Sequence, residues 1–171
     1  MLRADYDEQN CSIARTLEFV GERWSLLILR EAFLGTRRFD EFQARLGIAR
    51  NVLQSRLERL TDGEIMRRVA YQERPVRYEY RLTRKGVDLW PAIVALMKWG
   101  DRYAAPGGPP TLLQHKDCGG EIDDRRRCMR CGAELEAWDV IPVRGPGASD
   151  LRLPEPAPSS LQGFAGAKLP G

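Results

Sequence analysis

The spacing of hydrophobic side chains predicts four helices in the first part of the chain. Apolar residues recur with a helical period in Ser12 to Val20, Arg23 to Leu34, Phe39 to Leu46 and Arg50 to Thr61. The second segment is apolar on almost all sides, which is typical of a buried central helix. The fourth carries a narrow stripe of leucines, and polar residues cover its opposite side. We therefore expect one face of the fourth helix to meet solvent.

After the fourth helix the pattern changes to a strand period. Met66 to Tyr71 and Arg77 to Leu82 are rich in β-branched and aromatic residues and flank a turn at 73–75, which predicts a basic β-hairpin. Thr83 is then the expected cap of a last long helix, with a bend expected at Pro91.

This order of elements is that of a winged helix-turn-helix domain, in which the hairpin is the wing. The break at Gly47 and Ile48 between two short helices is the expected turn, and the helix from Arg50 is the expected reader of DNA. The predicted fold class is mainly α with a small β-hairpin wing, followed by a small zinc-ribbon-like unit and a disordered tail.

Composition divides the 171 residues into four zones. Residues 10–104 form the winged helix-turn-helix domain, and the Pro- and Gly-rich residues 105–110 form a linker. Residues 111–143 hold three of the four cysteines and the one histidine. Residues 144–171 are low in periodic apolar content and rich in Pro, Gly, Ala and Ser, so we expect a disordered tail.

Charge is concentrated in the middle of the chain. Residues 36–85 carry 13 basic and 7 acidic side chains, whereas the segments on either side are slightly acidic. A basic middle favours a polyanion as partner, although on charge alone a solvated Arg-rich face is an equal alternative. The sequence has no apolar stretch long enough for a membrane span and no signal-peptide pattern, so we expect a cytoplasmic protein.

Several motifs also resemble those of a known family. They are Cys11-x3-Arg15-Thr16-Leu17, Gly21-x-Arg23-Trp24, Leu29-Arg30, Arg37-Arg38-Phe39-x-Glu41, Leu53-x2-Arg56-Leu57-x2-Leu60 and Tyr80-x-Leu82-Thr83-x2-Gly86. In this order they resemble the HxlR-type transcriptional regulators, relatives of the MarR group, over roughly residues 10–102. The resemblance implies a homodimeric regulator that dimerises through its first and last helices and inserts its reader helices into adjacent major grooves of double-stranded DNA.

Residue chemistry assigns roles on the expected DNA-binding surface. Asn and Gln pair with adenine and Arg with guanine in the major groove, so the predicted base contacts are Arg50, Asn51, Gln54 and Ser55. Predicted contacts to phosphates, or to the minor groove from the hairpin, are Arg37, Arg38, Arg74 and Arg77. For Arg56 and Arg59, pairing with Glu58, Asp62 or Glu64 is an equal alternative to DNA contact. Ala49 replaces the hydroxyl residue usual in the family at the reader helix N-cap.

A second constellation is His115-x2-Cys118-x9-Cys128-x2-Cys131. One imidazole and three thiolates match the ligand number and softness of a closed structural Zn²⁺ site. Gly119 and Gly132 directly follow ligands, where a knuckle turn needs a permissive backbone. A reversible disulfide, most simply Cys128 with Cys131, and loosely held thiols are the alternatives, and a reducing cytoplasm favours the metal.

Cys11 precedes the first helix, and the family resemblance places a redox- or electrophile-sensing cysteine at this position. A thiolate near a helix N-terminus has a lowered pKa and reacts faster. An unpaired cysteine is also commonly a small buried hydrophobe, so sensing and packing stay open. An oxidant or a small molecule is accordingly a candidate effector.

The residues favour a transcriptional regulator over an enzyme. No nucleophile and base pair and no Gly-rich phosphate loop are evident in the sequence, and the zinc site already accounts for the one histidine. The alternative is a zinc-stabilised protein-interaction module without sequence-specific DNA binding. The two differ in salt dependence, because DNA affinity through several basic contacts falls steeply with ionic strength.

Overall fold

The computed structural model describes residues 10–148, so most of the predicted disordered tail, from residue 149, lies outside the described residues. The described chain forms two compact units, residues 10–32 with 36–86 and residues 33–35 with 87–148. The division therefore falls inside the segment 10–104, whereas the sequence predicts a boundary at 105–110.

The first unit contains the predicted helices and the hairpin in the expected order. The elements are α1 (Ser12–Val20), α2 (Arg23–Phe33, whose last residue belongs to the second unit), α3 (Phe39–Leu46), α4 (Arg50–Asp62), β1 (Met66–Glu73), β2 (Val76–Leu82) and, at the unit boundary, α5 (Arg84–Val87). The predicted fold class, mainly α with a small antiparallel wing, is confirmed. No helix in the described part of the chain has the length and apolar character needed to cross a membrane.

The core of the first unit lies between α2, α3 and α4. The predicted leucine stripe of α4, Leu53, Leu57 and Leu60, is completely buried. α2 buries Ile28 and Leu29 but leaves Leu26 and Leu27 half-buried, so it is less enclosed than its apolar sequence predicts. Burial of this stripe orients α4 and leaves its polar face in solvent.

A buried carboxylate fixes the connection between α2 and α3. Glu31 is only 4% exposed and accepts hydrogen bonds from Arg30 at 2.7 Å and from the Thr36 hydroxyl at 3.3 Å. Arg45 of α3 approaches the same carboxylate at 3.8 Å. Because a buried charge needs partners, these contacts hold α3 in place beside α2.

β1 and β2 pair in antiparallel register from Met66 opposite Leu82 to Glu73 opposite Val76. A bulge between Ala70 and Gln72 interrupts the ladder. Met66 and Leu82 are buried at the base of the hairpin, and most residues toward the tip are exposed. The wing is therefore anchored at its base, with a further bridge between Glu79 and Arg38 midway along β2.

The helix after the wing differs from the prediction. Thr83 caps α5, since its hydroxyl accepts a hydrogen bond from the Gly86 N–H at 3.1 Å. The chain then breaks at Asp88 and Leu89, and α6 runs from Trp90 to Tyr103. Pro91 lies in the first turn of α6, where its missing N–H costs no hydrogen bond, so it begins the helix and does not bend it.

The second unit joins α6 to a small antiparallel ribbon. β3 (Thr111–His115) pairs with β4 (Val140–Arg144), and Gly145 and Gly147 continue the pairing by donating to Pro110 and Pro109 at 3.1 Å each. The core of this unit consists of Trp90, Val94, Leu113, Ile122, Cys128, Leu135, Ala137 and Val140. Regular pairing therefore extends a few residues past the predicted start of the tail.

Replacing Thr83 with alanine should destabilise the junction after the wing. The Thr83 hydroxyl accepts from Gly86 and lies 3.1 Å from the Ile65 carbonyl, so its loss should cost about 1–2 kcal/mol and lower the thermal midpoint. Thr16→Ala is the control, because the exposed Thr16 hydroxyl only bonds back to Ser12 of its own helix. Equal midpoints for the two variants would contradict the assignment.

Candidate nucleic-acid interface and metal centre

α3 and α4 form a helix-turn-helix with a tight connection. Gly47 ends α3 in the left-handed conformation, with φ of 60°, and Ile48 is buried at 3% exposure. Ala49 occupies the N-cap of α4 and makes no side-chain capping bond, as expected from the sequence. The turn therefore directs α4 through backbone geometry and burial of Ile48.

The four predicted base-contact residues all lie on the exposed side of α4. Asn51 and Ser55 are exposed, and the Gln54 amide donates to the Glu58 carboxylate at 3.0 Å. Arg50 lies 4.7 Å from the ring centroid of Phe39 and 3.7 Å from Asp40. The structure brings these side chains together on one surface, and base contact stays a prediction.

Arg56 and Arg59 bind partners within the protein. Arg56 lies 3.3 Å from the Glu22 carboxylate, and Arg59 donates to the main-chain carbonyl of Glu18 at 2.9 Å. These partners precede α2 in the chain, whereas the sequence suggested Glu58, Asp62 or Glu64. Helical spacing alone missed them because the contacts join residues more than thirty positions apart.

Arg37 and Arg38 lie at the start of α3, as predicted. The Glu41 carboxylate accepts from the Arg38 N–H at 3.1 Å, and the Arg38 guanidinium lies 4.7 Å from the Tyr71 ring. The Arg37 carbonyl accepts from the Tyr80 N–H at 2.8 Å. Partial burial and the neighbouring Arg81 lower the pKa of Arg37. Contacts to β1 and β2 thus fix these two arginines against the wing.

The wing carries more positive charge than the sequence reasoning singled out. Arg74 and Arg77 are exposed near the tip, as predicted. Arg67 and Arg81 are also exposed and lie directly opposite each other in the ladder, and Arg68 lies 4.1 Å from the Tyr78 ring. Strand alternation shows which face of its own strand each arginine occupies. It does not show that Arg67 lies opposite Arg81, which follows only from the pairing register of β1 and β2.

The structure gathers the four predicted metal ligands into one cluster. The donor atoms of His115, Cys118, Cys128 and Cys131 all lie within 4.8 Å of one another. The Cys118 sulfur is 3.3 Å from His115 Nδ1 and 3.3 Å from the Cys128 sulfur, and the Cys131 sulfur is 3.4 Å from His115 Nδ1. Tetrahedral bonds of about 2.0–2.3 Å separate ligand atoms by roughly 3.3–3.8 Å, so the donors fit a metal ion.

Two knuckle turns position the thiols. Gly119 and Gly132 have φ of 70° and 74°, as their places after Cys118 and Cys131 predict. Burial raises the pKa of Cys128, but the N–H groups of Cys131 and Arg130 act against it and contribute to a lowering to about 6. The backbone therefore favours the thiolate form of Cys128, which is the form that binds metals.

Three residues that sequence reasoning missed also shape the cluster. Asp117 lies 3.5 Å from His115 Nε2, an arrangement that leaves Nδ1 toward the thiols. Arg130 donates to the Cys118 carbonyl at 2.6 Å. At Gly120, a Cβ would lie 2.6 Å from the Cys128 sulfur, so this close approach requires glycine. Each contact depends on the folded loops, and ligand spacing alone does not reveal it.

Cys11 is exposed and immediately precedes α1. The backbone N–H groups of Ala14 and Ile13 lower the pKa of its thiol. The Cys11 thiol is therefore accessible to solvent in the described chain, and its sensing role stays a prediction.

Comparisons with known proteins agree with this arrangement. The family described as HxlR-like helix-turn-helix matches residues 19–107. A Mycobacterium tuberculosis relative, the uncharacterized HTH-type transcriptional regulator Rv3095, is 53% identical over 137 residues, which cover 80% of this chain and 87% of the relative. Such relatives are named as transcriptional regulators, which confirms the expectation that the chain is not an enzyme.

Two solved structures extend the comparison. The crystal structure of PA1607, a candidate transcription factor, is 39% identical with a TM-score of 0.64, covering 78% of this chain and 94% of that one. The redox regulator HypR in its oxidized form is 29% identical with a TM-score of 0.51, covering 54% of this chain and 96% of that one. The likeness to PA1607 extends over more of this chain than the likeness to HypR.

Gly120→Ala should weaken metal binding while leaving all four ligands in place. The new methyl group would lie 2.6 Å from the Cys128 sulfur and 2.5 Å from the Arg130 Cβ, which forces the two knuckles apart. We expect the affinity for Zn²⁺ or Co²⁺, measured by competition with a chromophoric chelator, to fall about 10-fold or more. Gly107→Ala is the matched control, since its Cβ makes only an ordinary 3.6 Å contact, and equal affinities would refute the role of Gly120.

Proposed function

The chain belongs to the HxlR-like helix-turn-helix family, and we propose that this transcriptional regulator binds specific double-stranded DNA as a homodimer in the cytoplasm. The observation that carries the proposal is the exposed polar face of α4, which lies opposite a completely buried leucine stripe. A helix anchored in this way can enter a major groove without losing its own packing.

Sequence recognition would come from the first turns of α4. Asn51 and Gln54 each offer a donor and an acceptor for adenine, and Arg50 offers a fork for guanine. The Ser55 hydroxyl can contact either adenine or guanine. In the free protein Arg50 and Gln54 already have carboxylate partners, Asp40 and Glu58, so DNA binding would exchange these contacts for base edges.

Phosphate contacts would come from the arginines around α4. Arg37 and Arg38 at the start of α3 are held in position by contacts to the hairpin, which favours contact with one backbone strand. Arg74 and Arg77 lie near the exposed wing tip, where they can reach the backbone or the minor groove. Exposed Arg67 adds charge to the same wing.

Dimerisation would bury apolar side chains that the single chain exposes. In α1, Ile13 is 71% exposed, and in α6 Leu96, Trp99 and Tyr103 are 54–66% exposed. Large exposed apolar residues on a helix favour burial against a protein partner. A second copy of the same two helices is the partner that we propose, in agreement with the family resemblance.

The Cys/His cluster would hold a structural zinc ion. Three thiolates and one imidazole are the soft donors that Zn²⁺ prefers, and four protein ligands close its coordination. A closed site has no position for a reactive water, so its role would be to hold the fold. Metal binding also accounts for four donors brought so close together in a small unit.

Response to oxidants or electrophiles is a second proposed property. The Cys11 thiol is exposed, and backbone N–H groups lower its pKa, so a larger fraction is thiolate at neutral pH. The similarity to HypR, named a redox regulator, supports this proposal. Attack of the thiolate on a peroxide would yield a sulfenic acid and release hydroxide.

DNA recognition can be tested by fluorescence anisotropy with the duplex upstream of the protein's own gene and a scrambled duplex at several salt concentrations. Asn51→Ala and Gln54→Ala should each cost about 1–3 kcal/mol on the first duplex and little on the second. Arg77→Ala should weaken both equally and reduce the salt slope by about 1. Arg125→Ala removes the same charge from the segment between Cys118 and Cys128. It should change neither the affinity for the two duplexes nor the salt slope. Salt-independent or equally feeble binding to both duplexes would favour the protein-interaction alternative.

The proposed sensor role of Cys11 can be tested on the same complex. Diamide or peroxide should release the wild-type protein from DNA, and Cys11→Ser should remain bound, because it lacks the reactive thiolate. Mass spectrometry of the treated protein identifies the modified cysteine. Release of Cys11→Ser at the same oxidant concentration, with Cys118, Cys128 and Cys131 unmodified in the mass spectrum, would exclude this role.

A further inference from the structure

α6 carries apolar residues on two sides. On one side, Trp90 and Val94 are buried, at 5% and 1% exposure, and Met97 packs against them. On the other, Leu96 and Trp99 are exposed. The first side is committed to the fold of the second unit, and the second side belongs to the proposed dimer surface.

The buried side of α6 is covered by the segment that contains the metal ligands. Leu113, Ile122, Leu135, Ala137 and Val140 of this segment form one cluster with Trp90 and Val94. The Phe33 ring lies 5.2 Å from the Trp90 ring and completes the cluster. At the end of α6, Arg102 lies 3.7 Å from Asp124 in the loop between the two knuckles. The covering segment therefore contacts α6 from its first turn to its last.

One metal ligand is itself part of this core. Cys128 is 2% exposed and belongs to the same apolar cluster as Trp90. Its backbone also forms a β-bridge with Ile122, another core residue. The position of the Cys128 sulfur in the donor cluster thus sets the position of the side chains that cover α6.

The covering segment has little other support. A segment of about 33 residues rarely folds on its apolar core alone, and a bound metal commonly supplies the missing stability. α6 is 14 residues long, which is marginal for a helix without tertiary packing. Loss of the metal should therefore loosen the segment and, with it, α6.

We propose that metal occupancy of His115, Cys118, Cys128 and Cys131 controls DNA affinity by setting the order of α6 and hence dimerisation. This inference rests on the proposed dimeric DNA-binding function and assigns it a regulatory ligand, a soft divalent cation of the Zn²⁺ class. The metal-loaded protein presents an ordered dimer helix, and the metal-free protein does not.

The test measures three quantities on the full chain as free Zn²⁺ is lowered in a chelator-buffered series under reducing conditions. They are metal occupancy, mass by light scattering, and affinity for the duplex upstream of the gene. All three should fall with the same midpoint, and affinity should drop at least about 10-fold. Tryptophan emission gives an independent readout, since Trp90 becomes exposed as α6 loosens.

Variants separate metal binding from core packing. Cys131→Ser removes an exposed ligand outside the apolar cluster, so it should move all three midpoints to higher free Zn²⁺ by the same factor. Arg125→Ala, which alters an exposed residue of the same segment outside the donor set, should leave them unchanged. If the metal-free protein precipitates, the three midpoints are compared at partial metal occupancy, where most of the protein is still folded.

The outcomes distinguish this inference from the proposed function. If metal is lost while mass and DNA affinity stay constant, the inference is wrong and the DNA-binding proposal stands. If the Cys131→Ser midpoints for metal and DNA shift by different factors, the coupling is likewise refuted. If the zinc-loaded wild-type protein shows no preference for the upstream duplex, the proposed function itself fails.

Discussion

The packing of α6 against the Cys/His segment is the constraint on which the second unit depends. Neither partner has enough structure to be stable alone, because the helix is short and the segment is mostly loops and knuckles. Their shared core includes Cys128, a donor atom of the cluster. Apolar burial and metal ligation therefore act on the same residues, and the stability of one depends on the other.

The first unit is built on a different principle. Its core of leucine, isoleucine and phenylalanine side chains orients α4 with no metal ligand among them. Glu31 adds one buried polar contact, which joins the end of α2 to Thr36 and Arg45. The surface that would read DNA is thus held by apolar packing, and the proposed metal dependence acts through dimerisation and not through the reader helix itself.

Local pattern was enough to predict the elements of the first unit. Helical periodicity gave the bounds of α1 and α3, because each has a regular apolar stripe and a clear stop at glycine. The metal donor set was also predictable, because its four residues form two short pairs, His115 with Cys118 and Cys128 with Cys131. Contacts between distant segments were not predictable from local pattern. Examples are the bond from Arg59 to Glu18 of α1 and the close approach of Gly120 to the Cys128 sulfur. The assignment of α6 to the second unit is another. Pro91 was misread because periodicity does not tell a helix start from a kink.

The charges of the wing support DNA binding on energetic grounds. Arg67 and Arg81 face each other in the ladder, an arrangement of like charges that costs stability. Arg81 pairs with Glu79, a carboxylate with only 12% of its side chain exposed, and the Arg37 guanidinium lies in the field of both. Glu41 is the other carboxylate that acts on Arg37, so two carboxylates face three guanidinium groups and an excess of positive charge remains. A polyanion such as a DNA backbone would relieve the excess charge, so the cost in the free protein becomes affinity in the complex.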